Sequence, residues 1–362
     1  LLQAGGEFSG GTGDIDASGR VGLIAGSFTS TTGEIAMGSS VRFSSALVFD
    51  ANGGSARKYG SGGDEYVDFG GAEFNDFIFN HTGPGEIIIS NEFIVNGLLT
   101  INNSAGSPSL DGGIVRVRGD LTITKASQDQ NSFPTEFIVD GAGTQTLTAS
   151  AGESIGMLTV DNSGVLNVVG TLTLRRALDY VGGSINFGTS TIEMFHRNND
   201  FTLNPGSQVL YNLTNISTGT GDIVVTGTVS VANDFIFNTT GTSPDINTGT
   251  IEVEGDVTMN DGTGGSGLIK LVGTTPQTLT GAVGANMPNV EIDSSGGVTL
   301  VGDIYVEENW TYISGTVNPG TSTVTFVDGS TIDSAGMSFN NVTFAGAGTA
   351  DFDISSDMDV NG

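Results

Sequence analysis

Cysteine is absent from the 362 residues. That excludes disulfides, thiolate nucleophiles and soft-metal sites together, while leaving the compartment open. Basic residues are scarce, 11 Lys and Arg against 40 Asp and Glu, for a net charge of −29. Beyond Arg197 the only one is Lys270. Such a surface repels phosphate backbones, so no nucleic-acid partner is expected. No apolar run approaches the ~18 residues of a membrane span, and no transmembrane segment or signal-peptide pattern is read. Proline is limited to 8 residues and histidine to two, His81 in "FNHTG" and His196 in "MFHRNND". Neither histidine recurs in the neighbouring copies of the repeat described below, and no Ser or Cys partner of a triad stands nearby. Both are read as turn or surface residues. P-loop, HExxH, GxSxG and strand–helix GxGxxG patterns are missing. No catalytic or cofactor-binding residue is assigned, and the chain is not expected to be an enzyme.

What is present is glycine, 57 residues of it, with Val, Ile, Thr and Phe in short alternating runs. β-branched and aromatic residues at period two argue for an all-β chain. The runs repeat. "FNDFIFN" (Phe74 to Asn80) matches "LYNLTNI" (Leu210 to Ile216) at an offset of 136. The same offset carries "GIVRVRGDLTI" (Gly113 to Ile123) onto "GTIEVEGDVTM" (Gly249 to Met259), and Pro108 onto Pro244. "TQTLTA" from Thr144 then meets "PQTLTG" from Pro276 at 132, and "FNNVTF" from Phe339 meets "LYNLTN" at 129. The slippage reads as residues lost at loops, "KASQDQNSFP" (Lys125 to Pro134) against "NDGTGGSG" (Asn260 to Gly267). The organisation is therefore an irregular segment at 1–73, a first long unit at 74–209, a second at 210–338, and the start of a third at 339–362. The first residue is not Met and the last lies within a repeat, so the chain reads as an internal piece of a longer polypeptide.

A shorter phrase recurs inside each unit, starting near 74, 155, 210, 287 and 339. Its inward pairs are Phe77/Phe79, Ile87/Ile89 and Phe93/Val95, then Leu158/Val160, Leu166/Val168 and Leu172/Leu174. Strands of three to five residues ending at Gly, Asn, Asp or Ser suit stacked coils. Asn215 stands where Phe79 stands in the first copy, and with Ile216 it predicts a local shift or bulge. The pattern predicts a parallel β-helix, or β-solenoid, with irregular coils; the alternative is tandem β-sandwich domains. At roughly 20–25 residues per coil the chain makes about 16 coils, very roughly 75–80 Å of stack at the ~4.8 Å strand spacing.

"FNNVTF" and "NVEIDSSGGVTLVGDIYV" resemble the phrases of giant repetitive surface proteins of Gram-negative bacteria, over about residues 74–362. The resemblance implies the repetitive β-solenoid shaft of a cell-surface adhesin or filament, exported and extracellular. Its partners would be other copies, the rest of a longer chain, or polysaccharide and host or cell surfaces.

Two other function classes follow from particular residues. Carboxylates are the plentiful reactive groups, and Trp310 and Tyr312 would have to line a groove in a carbohydrate-binding or carbohydrate-cleaving β-helix. Asp351, Asp353, Asp357 and Asp359 alternate in "DFDISSDMDV" and are the calcium candidates of a calcium-stabilised module, although the pattern reads first as solvated acidic corners. Arg116 and Arg118 become Glu252 and Glu254 one unit later, and Arg175 and Arg176 become Glu307 and Glu308. This exchange predicts an outward, solvated face with freely chosen charge, or oppositely charged faces meeting between molecules of a fibre. The Thr runs are read as ordinary outward strand residues in preference to an ice-binding array.

Overall fold

The computed structural model describes residues 1–103, 110–126, 134–239, 244–262, 264–327, 329–346 and 351–362. Pro108 and most of the Lys125 to Pro134 loop lie outside the described residues. Among the described residues there is no helix, and about 59% of the chain is strand, arranged as parallel stacked coils of a β-solenoid of about 16 turns. Among the described residues the strand pairings are parallel, with one isolated antiparallel bridge from Asp111 to Pro134. Tandem sandwiches need antiparallel hairpins, so that alternative is overturned. Contacts divide the chain into two compact units, Leu1–Gly188 and Thr189–Gly362. The sequence repeat has a different phase, its boundaries falling inside these units.

In the first unit each coil contributes up to three short strands, one to each of three ladders. One ladder runs through Val21–Leu23, Val41–Phe43, Glu65–Asp68 and Ile87–Ile89. A second runs through Glu92–Val95, Ile114–Val117 and Glu136–Val139. The third runs through Ser55–Gly60, Asp76–His81, Leu99–Asn102 and Leu121–Lys125. The second unit repeats the scheme, for instance with Asn212–Asn215, Phe235–Phe237, Val257–Met259 and Gln277–Gly281.

Alternation decides what faces inward. All twelve residues expected to point in are buried, none above 4% exposed. Large rings fill the first unit, where Phe69, Phe74, Phe77 and Phe93 meet edge to face or tilted at centroid distances of 4.9 to 5.9 Å. Such pairs add about 0.5–1.5 kcal/mol each beyond their burial. Coil length varies at corners while register holds. Leu121 pairs with Leu147, 26 residues on, but the matching Val257 pairs with Leu279, 22 on. Those four residues account for the change of offset from 136 to 132.

Asn215 contradicts the expected bulge. It stays inward and wholly buried, in unbroken register between Met194 and Phe237. Its amide nitrogen donates to Ser217 Oγ at 2.9 Å, so the core holds an amide there without a shift of strand. A real irregularity lies elsewhere, where the register slips between Ile292 and Asp293 opposite Ile313. The turn beyond it is closed by Gly315, whose φ of +106° and whose position, 1.9 Å between an added Cβ and Ser294 O, admit only glycine.

Candidate functional site

Many of the side chains able to do chemistry hold one coil to the next. Aspartates at corners accept backbone N–H groups from the following coil. Leu98 N–H donates to Asp76 Oδ1 at 2.7 Å and Thr146 N–H to Asp120 Oδ1 at 2.8 Å. In the second unit Asp256 N–H donates to Asp234, and Thr278 N–H to Asp256 at 2.7 Å. Asparagine does the same at Asn212 and Asn309. The backbone N–H at a corner has left the ladder, and an uncompensated donor there costs free energy. Much of the acidity is thus a corner device.

Gln145 and Gln277 are a second device, one missed in the sequence. Each is nearly fully buried. Gln145 Oε1 accepts from Gly141 N–H at 2.9 Å, and its Nε2 donates to the carbonyls of Val117 and Gly119 at 3.0 and 2.7 Å. Gln277 makes the same three bonds, with Gly273, Val253 and Gly255, at 2.7, 2.9 and 2.6 Å. The signal was available: a glutamine repeated at an inward position of an alternating strand. Thr146 and Thr278 beside them are half-buried strand residues.

Both histidines depart from expectation, being buried and not at the surface. The strand Asp76–His81 keeps its alternation to its last residue, which turns His81 inward at 0% exposure. Its Nδ1 accepts from Gly83 N–H at 3.2 Å, and its backbone N–H donates to the buried Asn103 Oδ1 at 2.9 Å. One coil earlier Lys58, also inward and fully buried, forms an ion pair with Glu65 and donates to Tyr59 O. Glu65 Oε1 is 4.0 Å from His81 Nε2. Burial pushes the Lys58 ammonium below its usual range, opposed by Glu65. Burial likewise lowers the His81 pKa, again opposed by Glu65. In the second unit burial lowers His196 to about 4, with the Asn215 side chain acting the other way. These groups are closed off inside the coil, and a substrate has no surface at which to meet them.

Three of the exchanged charges, Arg116, Arg118 and Glu252, form ion pairs within their own units. Val115 and Val117 point in and Arg116 and Arg118 point out, as expected. Arg116 bridges Glu92 at 2.6 Å and Asp140 at 3.1 Å, and Arg118 reaches Glu73 at 3.4 Å. On the corresponding ladder Lys270 lies between Glu252 at 3.9 Å and Glu291 at 3.0 Å, with Asp293 at 3.6 Å. The reversal at Glu252 is met by a cation one coil on. Arg175 donates to Ser154 Oγ, whereas Glu307 accepts from Gly265 N–H.

Trp310 and Tyr312 do not line a groove. Trp310 is fully buried against Phe326 and Phe339, and the Tyr312 hydroxyl is held by Gly315 O, as Tyr180 is by Gly183 O. The four calcium candidates are exposed and lie along the last described segment. Asp353 belongs to a strand that pairs with Thr331 and Ile332, Asp359 to one that pairs with Ser338 and Phe339. Asp359 accepts from Ser338 Oγ and Asn361 Nδ2, which hold its carboxyl below the usual range. Among the described residues no three His, Asp or Glu side chains converge as a metal site would need, and no helix is long and apolar enough to cross a membrane.

Two depressions mark the first unit. One, of about 630 Å³, opens between Leu47–Asp50 and Glu73–Phe74, where successive strands are not ladder-paired, over Phe43 and Phe49. The other lies on the outer face of the ladder that starts at Leu2–Gln3. Comparison with protein-family models, curated proteins and solved structures finds no match to the chain.

Proposed function

We propose that the chain is a structural repeat segment of an exported bacterial surface protein, serving as an adhesin stalk or extracellular filament and not as an enzyme. One observation carries this reading. Polar and charged side chains at corners and on the outer face, among them Asp120, Asp256, Gln145, Gln277, Arg116 and Lys270, are engaged in bonds between successive coils, in both units. Parallel ladders, an apolar interior and corner bonds that recur coil after coil yield a stiff body whose stability is additive along the stack. A surplus of carboxylates keeps such bodies soluble and apart. The resemblance of "FNNVTF" and its neighbours to repetitive surface proteins adds the location, outside the cell. Gold-labelled antibody against residues 1–362, imaged by negative-stain microscopy on the source cells, tests it. Label along thin surface fibres is the expected result. Label confined to the cell interior, or to compact soluble particles, overturns it.

A further inference from the structure

Five of the cations in this acidic chain make ion pairs among the described residues: Arg57, Lys58, Arg116, Arg118 and Lys270. Arg20 and Arg42 do not, and both are exposed on one outer sheet face. Parallel register builds that face. Leu2, Gly22 and Arg42 follow one another on successive coils, and Arg42 is followed by Asp68. Beside them Ser40 Oγ receives the N–H of Tyr66. Small residues at Gly22 and Ser40 between large ones leave a trough of about 700 Å³, bordered by Leu2, Ile24, Arg20, Arg42 and Tyr66. Leu2 is 75% exposed, Tyr66 57% and Ile24 38%. A side chain in place of Gly22 would close on Leu2, its Cβ 3.2 Å from Leu2 Cδ1.

The trough's one carboxylate, Asp68, forms no ion pair with either arginine. Asp68 Oδ1 is occupied by Gly70 N–H at 3.0 Å and by Asn91 Nδ2 at 2.9 Å. Two guanidinium forks without carboxylate partners therefore flank an apolar and aromatic floor. Guanidinium groups bind carboxylates with paired, charge-assisted hydrogen bonds. An aromatic ring and aliphatic side chains offer a surface to the C–H face of a sugar. The volume falls in the range of about 300–1,000 Å³ of small-ligand sites. We propose that this trough binds a carboxylate-bearing saccharide, the carboxylate held by Arg20 and Arg42 and the ring laid over Leu2, Ile24 and Tyr66. This goes beyond a structural role, and does not depend on it: the shaft reading can fail while the trough still binds.

The probe is a galacturonate hexamer, with its methyl ester as the uncharged counterpart, titrated calorimetrically into the full 362-residue chain. Binding of the acid, weakened by added salt, and at least about tenfold weaker binding of the ester are expected from the loss of charged hydrogen bonds. Arg20→Gln with Arg42→Gln abolishes binding, and Arg197→Gln, which removes an exposed cation in the other unit, leaves it unchanged. Both arginines are exposed and outside the ion pairs, so the variants fold, which an unchanged melting curve verifies. Equal affinity for acid and ester, no binding of the acid, or equal loss in Arg197→Gln overturns the proposal. Concentration-dependent dimerisation that vanishes in the double variant, without saccharide binding, assigns the face to a second copy instead and equally overturns it.

Discussion

His81 in the first unit and Ser217 in the second stand at the same place in the repeat, 136 residues apart, and both are buried, His81 as the last residue of its strand and Ser217 two residues beyond the strand Asn212–Asn215. Around His81 the interior holds charge, Lys58 against Glu65, with Asn103 beyond. Around Ser217 it holds only neutral groups at neutral pH, Asn215 and His196. One coil geometry thus accepts two chemistries, a charged pair at one corner and neutral polar groups at the other. The repeat preserves a shape and a demand for hydrogen bonds, and leaves charge open.

Breaking the charged corner has the largest expected effect. Glu65→Gln leaves the Lys58 ammonium buried without its counter-ion, a loss of about 3–5 kcal/mol, while replacing both partners by apolar residues recovers most of it. Hydrogen exchange of the first unit measures both variants; equal exchange in wild type and Glu65→Gln would show that Lys58 does not need Glu65.

The neutral corner responds to pH in its place. His196 titrates at about 4 when folded against 6.5 when unfolded, so the folded state disfavours the proton. Its contribution is complete above pH 6.5 and is lost as pH falls towards 4, a loss on the order of 3 kcal/mol. Fluorescence of Trp310, the only tryptophan, reports unfolding of the second unit. His196→Leu is expected to flatten the descent that wild type shows in this window.

Where the two units carry the same chemistry they are expected to respond alike. Gln145→Ala and Gln277→Ala each strand one N–H and two carbonyls, at a cost of about 2 kcal/mol apiece. Unequal losses by calorimetry would show that the two clamps are not equivalent. Ser217→Ala removes one neutral partner of Asn215 and costs about 1 kcal/mol, the mildest of these changes, measured by the same Trp310 signal.

The ladders were legible because a period of two is read directly from residues such as Phe77/Phe79 and Leu172/Leu174, and all twelve of the inward residues read that way are buried. The same alternation runs through "SARKYG" and places Lys58 inward, yet a lysine is expected outside because its desolvation is costly. Only the three-dimensional approach of Glu65, seven residues on across a corner, makes it tolerable. His81 was misplaced for a related reason: alternation continued to the final residue of the strand, where a turn had been expected to begin. The corner role of aspartate was hidden because each carboxylate bonds an N–H some 22 residues away, and spacing along the chain does not announce that contact. Trp310 takes the place of the buried Leu178 in the repeat and is itself buried, so the groove that a carbohydrate site would have required of it is not formed.

Parallel register is the claim on which the corner bonds, the buried corners and the trough all depend. The chain lacks cysteine, so it can be probed with introduced pairs. Thr258 and Thr280 are half-buried, outward residues paired directly on neighbouring coils, and Thr278 lies two places out of register. Paired strand residues fall within the 4.4–6.8 Å Cα separation a disulfide requires, roughly. Under mild oxidation, T258C with T280C is predicted to close nearly completely and T258C with T278C slowly or not at all, as read by the mass of the trapped chain. Equal closure of both pairs, or preference for the second, would contradict the stacked parallel coil.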